Sequence, residues 1–205
     1  QGGGLWVDAP TTITNVTFDG NIANDPTITQ PDNWRRGNGG ALAVASDAPV
    51  GISHATFARN QAGFNGGAIA AGASVSVGNS LFEDNTGANP WGIQQHCTSQ
   101  LTAVAVNMQH PPRNPSPNFP NETSCAANIR STDPQLGPLA DNGGPTQTIA
   151  LPAGSPALNA GTSAACAGRD QRNYRRTGPC DLGAFERDGQ LLAPSSIVYL
   201  PLARR

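Results

Sequence analysis

Apolar and polar positions alternate in three short bursts, at residues 13–18, 52–57 and 75–82, and each burst closes with the same signature: Phe18-x-x-Asn21, Phe57-x-x-Asn60 and Phe82-x-x-Asn85. Period-two alternation predicts strands that bury one face. A glycine pair precedes each burst, in Gly2-Gly3-Gly4-Leu5-Trp6-Val7, Asn38-Gly39-Gly40-Ala41-Leu42-Ala43-Val44 and Asn65-Gly66-Gly67-Ala68-Ile69-Ala70. The Phe-to-Asn spacing is constant, whereas the distance from the glycine pair to Phe varies by a few residues. Residues 25–36, which hold Pro26 and Pro31, fit as an insertion between the first two copies.

A unit of roughly 25 residues built from period-two strands cannot bury its own apolar face and must stack on its neighbours. The pattern therefore predicts an all-β parallel solenoid. Ile13, Ile52 and Val75 are expected at one inward rung, and Phe18, Phe57 and Phe82 at another, forming ladders of like side chains along the axis. Asn21, Asn60 and Asn85 would form a polar ladder at a corner. The glycine pairs would supply tight corners or close approach between coils. Leucine-rich repeats share this period but need a Leu-x-x-Leu-x-Leu frame that the chain lacks, which leaves an antiparallel sandwich as the rival architecture. A fourth, degraded coil is expected at residues 92–93 and 101–106, where alternation persists without Phe-x-x-Asn. Pro111, Pro112, Pro115, Pro117 and Pro120 then predict a surface excursion, because proline cannot keep donating to a ladder. Short extended pieces at 146–151, 157–160 and 182–186 read as terminal coils and a cap. The resulting division is one β-helix over 1–187, comprising repeat coils 1–109, the Pro-rich excursion 110–132 and terminal coils 133–187, followed by a linker and tail at 188–205.

Composition supports this picture and narrows function. Hydrophobic residues make up 37% and charged residues 13% of the 205, below the usual ~45–50% and ~25%, and the 24 Gly and 18 Pro disfavour a helical protein. All 12 basic residues are Arg, and the formal net charge is -2. Nucleic acid is an unsuitable partner, since phosphate contacts need a concentrated positive field. No apolar run reaches the roughly 18 residues of a membrane helix, and no charged-then-apolar leader precedes the first repeat.

The Gly-Gly-x-Ile and Phe-x-x-Asn units resemble the polymorphic outer-membrane-protein type repeats of secreted right-handed parallel β-helix proteins. The motifs Asp133-Pro-Gln-Leu-Gly-Pro-Leu, Asp141-Asn-Gly-Gly-Pro-Thr-Gln-Thr148, Gly154-Ser-Pro-Ala157, Asn159-Ala-Gly161, Asp170-Gln-Arg172 and Cys180-Asp-Leu-Gly-Ala-Phe-Glu186 resemble the choice-of-anchor Q module at the C-terminal end of bacterial surface proteins. The resemblance implies a secreted or surface-displayed right-handed β-helix without a common catalytic site.

Four cysteines in an exported, Gly- and Pro-rich chain point to two disulfides. Of three connectivities, the sequential one, Cys97 with Cys125 and Cys166 with Cys180, is favoured because each bond closes an irregular loop, worth about 3 kcal/mol on the chain-entropy estimate. His96 adjoins Cys97 and His110 follows later in the chain, but no Cys-x-x-Cys or His-x-x-x-His spacing supports a metal there, and no cofactor is expected.

The tail residues Ile197, Val198, Tyr199, Leu200, Pro201 and Leu202 form an apolar extended segment, resembling short Tyr-Leu-Pro-Leu endings of secreted proteins of filamentous green non-sulfur bacteria. It either folds back along its own solenoid or adds as a strand to another subunit, where Pro201 allows only edge pairing. The chain also begins at a repeat boundary, so the first coil is expected to be open, inviting head-to-tail contact and a filament. The leading expectation is thus an extracellular, self-associating structural subunit. The alternatives are a monomeric fragment or adhesin that binds surface polysaccharide, with Trp34 beside Arg35 and Arg36 as the aromatic platform, and, behind both, a polysaccharide lyase or hydrolase. An enzyme would need converging carboxylates. The densest charged group, Arg169, Asp170, Arg172, Asp181 and Glu186, reads instead as a structural ion-pair network.

Overall fold

The computed structural model describes residues 2–45, 49–71, 74–113 and 124–191. The tail from Ile197 to Leu202 and the Pro-rich run with Pro115, Pro117 and Pro120 lie outside them. Among the described residues, two single-turn 3-10 helices, Trp34–Arg36 and Ser163–Ala165, interrupt an otherwise β-only chain.

Four parallel sheets are each built from one strand per repeat. Leu5–Val7, Leu42–Val44 and Ile69–Ala70 form the first stack, and Thr11–Thr14, Val50–Ser53, Val75–Gly78 and Thr102–Ala103 the second. Thr17–Asp19, Thr56–Ala58, Leu81–Glu83, Met108–His110 and Arg130–Ser131 form the third, and Ile22–Ala23, Gln61–Ala62 and Thr86–Gly87 the fourth. Strands of two to four residues suffice because their hydrogen-bond partners lie one repeat away and not across a hairpin. This all-β, parallel arrangement is compatible with a β-solenoid.

Register places the aromatic ladder as the repeat predicts. Phe18 pairs with Phe57 and Phe57 with Phe82, and the rings stack at 5.0 and 5.1 Å with interplanar angles of 4° and 5°. The neighbouring rung differs from expectation: Ile13 and Ile52 align with Val77, while Val75 aligns with Val50 and Thr11. The fourth coil is also more regular than its sequence suggests. Met108–His110 continues the third stack beside Leu81–Glu83, and Gln109 occupies the rung that Phe82 holds one coil earlier. Its carboxamide oxygen accepts from the Cys125 backbone N–H at 3.0 Å, so the buried polar group is satisfied.

The Asn ladder follows the same register. Asn60 Oδ1 accepts from Asn21 N and Nδ2 at 3.0 and 2.8 Å, and Asn85 Oδ1 accepts from Asn60 N and Nδ2 at 3.1 and 2.8 Å. Each interior amide also donates inward, Asn60 to Phe18 O and Asn85 to Phe57 O. At Gly40, a Cβ would collide with the Gly67 carbonyl of the next coil and with the Gln61 carbonyl, which is why the second glycine of the pair recurs.

Residues 133–187 add no strand to the four parallel stacks. Their regular pairing is one antiparallel contact, Leu139–Ala140 with Thr148–Ile149. From there the segment runs back along the flank of the coils, with Leu151, Ala157, Leu182 and Phe185 forming a second apolar cluster around Leu81 and Met108. Both disulfides are formed, Cys97 to Cys125 and Cys166 to Cys180, with Cα atoms 5.2 and 5.9 Å apart. The first joins the coil stack to the chain returning from the Pro-rich run, and the second lies within the flank segment.

Candidate functional site

The flank docks on a corner that the repeat creates. Between the second and third stacks the chain turns through Asn15, His54 and Asn79, all left-handed at φ 56, 49 and 50°. The turn aims their side chains outward in a column, where residues 162–184 meet them. Asn15 Nδ2 donates to Arg169 O at 2.7 Å, and Asn15 Oδ1 accepts from Arg176 Nη2 at 3.1 Å. His54 Nε2 lies 3.4 Å from Cys180 Sγ. Asn79 Oδ1 accepts from Thr162 N at 2.8 Å, and Asn79 O accepts from Gly183 N at 2.8 Å. Thr17 donates to Gln171 Oε1, and Thr56 Oγ1 accepts from Ala184 N. Three consecutive coils are thus bridged by one segment distant in sequence.

Behind this contact the Arg and carboxylate side chains form a closed network. Asp170 accepts from the Arg172 guanidinium at 2.7 Å and from the backbone N–H groups of Arg172, Tyr174 and Glu186. Arg172 lies between the Tyr174 and Phe185 rings, 4.2 and 3.8 Å from their centroids. Glu186 accepts from Arg176 Nη1 at 2.7 Å and from Asp181 N at 2.9 Å, and Asp181 accepts from Asn159 N and Arg187 N. Burial raises Glu186 above the usual carboxylate range and lowers Arg176, each opposed by their mutual pairing. Every carboxylate here is engaged by donors of the flank itself. The arrangement cross-braces an irregular segment that has few ladder bonds of its own. Arg176, absent from the charged group the sequence singled out, is the member that ties the network to the first coil, through Asn15.

Two imidazoles are buried in the same framework. Asn85 Nδ2 donates to His96 Nδ1 at 3.2 Å, so His96 ends the Asn ladder and presents Nε2 to the Pro111 carbonyl at 3.1 Å. Burial pushes His96 down to about 4, against the Pro111 bond that favours protonation. Burial, reinforced by the Arg176 charge, pushes His54 down to about 3. Folded values below the ordinary ~6.5 mean that the unfolded chain binds more protons below that pH, so this stability is present at pH 7 and drains away toward pH 4. Glu83 and Glu186, raised by burial, act in the opposite sense at mildly acidic pH. A His96→Asn variant isolates the imidazole contribution. Its loss of unfolding free energy between pH 7 and pH 4.5 is expected to be smaller than that of the parent chain by on the order of 2 kcal/mol. Equal losses in urea titrations would remove His96 from the account.

The remaining predicted residues fall elsewhere. Trp34 is 62% exposed on the 25–36 insertion, with the Arg35 guanidinium 5.5 Å over its ring. It borders an open groove of about 400 Å³ with Asp25, Thr27, Ile28, Gly37 and Asn38. No protein family, curated protein or solved structure matches the chain.

Two groups have metal-ligand proximity. His54, Cys166 and Cys180 converge, but both sulfurs are committed to the disulfide. Glu83, His110 and Asp133 place ligand atoms within 4.8 Å of one another. Sequence reasoning missed this trio because His110 read as the start of the Pro-rich excursion, and only the coil register brings it beside Glu83. No helix among the described residues is long and apolar enough to cross a membrane.

Proposed function

We propose that this chain is an extracellular structural protein, a right-handed parallel β-helix that associates with copies of itself end to end. The observation that carries the reading is the contrast along one inward rung: Leu5 is 36% exposed, whereas Leu42 and Ile69, its partners in register, are 0% exposed. Leu5 points where its rung-mates point, and among the described residues no coil covers it. In all four stacks the first-coil strand is an edge strand, and Ile22 stands 60% exposed beside it. At the opposite end the exposed strands Thr102–Ala103 and Arg130–Ser131 form a second edge. Two different open edges support heterologous, head-to-tail contact, and such a contact extends into a filament when its rotation does not close.

The two disulfides support an oxidising, extracellular setting. The resemblance of residues 133–186 to an anchor module supports display at a cell surface. Cross-bracing of the flank by Arg176, Glu186, Arg172 and Asp170 supports a mechanical role and not an enzymatic one. The apolar tail, Ile197 to Leu202, would add as an edge strand to a neighbouring copy.

The test is sedimentation of the purified full chain over a range of concentrations. The parent chain is expected to form species that grow with concentration, and a Leu5→Asp/Ile22→Asp variant to sediment as a 21.0 kDa monomer. Monomers in both samples would overturn the reading. That outcome would favour a monomeric adhesin, for which exposed Trp34 and its groove supply an aromatic platform for surface polysaccharide.

A further inference from the structure

We propose that Glu83, His110 and Asp133 form a binding site for a zinc-class divalent cation that clips the returning chain to the coil stack. Glu83 and His110 are direct partners in register on adjacent strands of the third stack, so the ladder itself sets them side by side. The backbone ties them further, since Asp84 N donates to His110 O at 2.9 Å. Asp133 arrives just after the next strand of that stack, Arg130–Ser131, and its Oδ1 accepts from Gln135 N at 2.6 Å, which fixes the carboxylate. The Leu136 backbone N–H faces the Glu83 carboxylate and opposes the effect of burial on it, so residues 133–136 border the site from one side. All three ligand atoms lie within 4.8 Å of one another.

An independent observation points to a ligand. His110 Nδ1 is buried and has no hydrogen-bond partner among the described residues. A buried ring nitrogen without a partner is costly unless something satisfies it. Two carboxylates close together repel, and Glu83 is 7% exposed, so water screens that repulsion poorly. A cation held by the two carboxylates and His110 Nδ1 would relieve both.

One imidazole nitrogen and two carboxylate oxygens select among cations. Calcium takes six to eight oxygen ligands, and magnesium favours oxygen with several retained waters. Imidazole with carboxylate suits zinc, cobalt or nickel, and a tetrahedral ion would keep one position for water. His110 and Asp133 flank the Pro-rich excursion, so the ion would close that loop as Cys97 to Cys125 does from another point.

The experiment uses the full chain with its disulfides intact, stripped with chelator. It is titrated with Zn2+ by calorimetry and with Co2+ by visible absorbance. One equivalent of each is expected to bind, and Zn2+ to raise the melting temperature, because an ion that binds only the folded state stabilises it. Asp133→Asn, at an exposed position, and His110→Ala are expected to weaken binding by more than about tenfold. Asp84→Asn, the neighbouring exposed acid, is expected to change it by less than about threefold. The proposal is overturned if the parent chain takes up no Zn2+, if Asp133→Asn binds as tightly as the parent, or if Ca2+ binds more tightly than Zn2+.

Discussion

Phe57→Ala is expected to lower the unfolding free energy by about 3–5 kcal/mol, the range for removing a fully buried aromatic side chain from a core. Phe57 is the middle ring of three, 0% exposed, and it alone is stacked on both faces, by Phe18 at 5.0 Å and Phe82 at 5.1 Å. Truncation removes the transfer energy of the ring and both stacking contacts. The void cannot collapse readily, because inter-coil spacing is fixed by the backbone ladders on either side. Phe18→Ala should cost clearly less, since Phe18 is 9% exposed and stacks on one face only. Urea denaturation of the two variants provides the check. Equal losses would mean that the rings act as separate apolar groups and not as a ladder.

The second large effect is expected at Arg176. Its guanidinium holds Glu186 at 2.7 Å, donates to Gly183 O and Arg169 O, and reaches Asn15 Oδ1 on the first coil. Arg176→Ala leaves Glu186 buried beside Asp181 without its cation, and removing one partner of a buried ion pair typically costs about 3–5 kcal/mol. The loss should be localised. Hydrogen exchange is expected to speed up at Gln171, Leu182 and Gly183, whose N–H groups are bonded within or beneath the flank. Amides of the interior strands Val50–Ser53 and Thr56–Ala58 should keep their protection. Uniform loss of protection would show that flank and coils unfold as one unit.

The parts of the fold that are visible in the sequence are those repeated in kind. Phe18, Phe57 and Phe82, with Asn21, Asn60 and Asn85, stand out because a parallel ladder places identical residues in identical surroundings. The Val77 rung was legible too, since Ile13, Ile52 and Val77 each precede their Phe by five residues. Val75 opens the same alternating stretch but precedes Phe82 by seven residues, which puts it on the rung of Thr11 and Val50. The corner column of Asn15, His54 and Asn79 also keeps a constant offset from Phe, but its chemistry changes from coil to coil, and the residues share a backbone conformation and a docking partner, not a side chain. Gln109 is hidden in the same way, as a polar residue on an aromatic rung, satisfied by a backbone N–H that the sequence does not advertise. The flank is least legible. Arg176 and Glu186 repeat nowhere, and their role arises when residues 162–187 fold back over coils that lie far earlier in the chain. Glu83, His110 and Asp133 share that origin, for register and not spacing brings them together.

End-to-end association is the central claim, and electron microscopy of the purified full chain tests it most directly, with the Leu5→Asp/Ile22→Asp variant imaged alongside. Long, uniform fibres in the parent sample that are absent from the variant are the predicted result. Discrete, single-copy particles in both samples would contradict it.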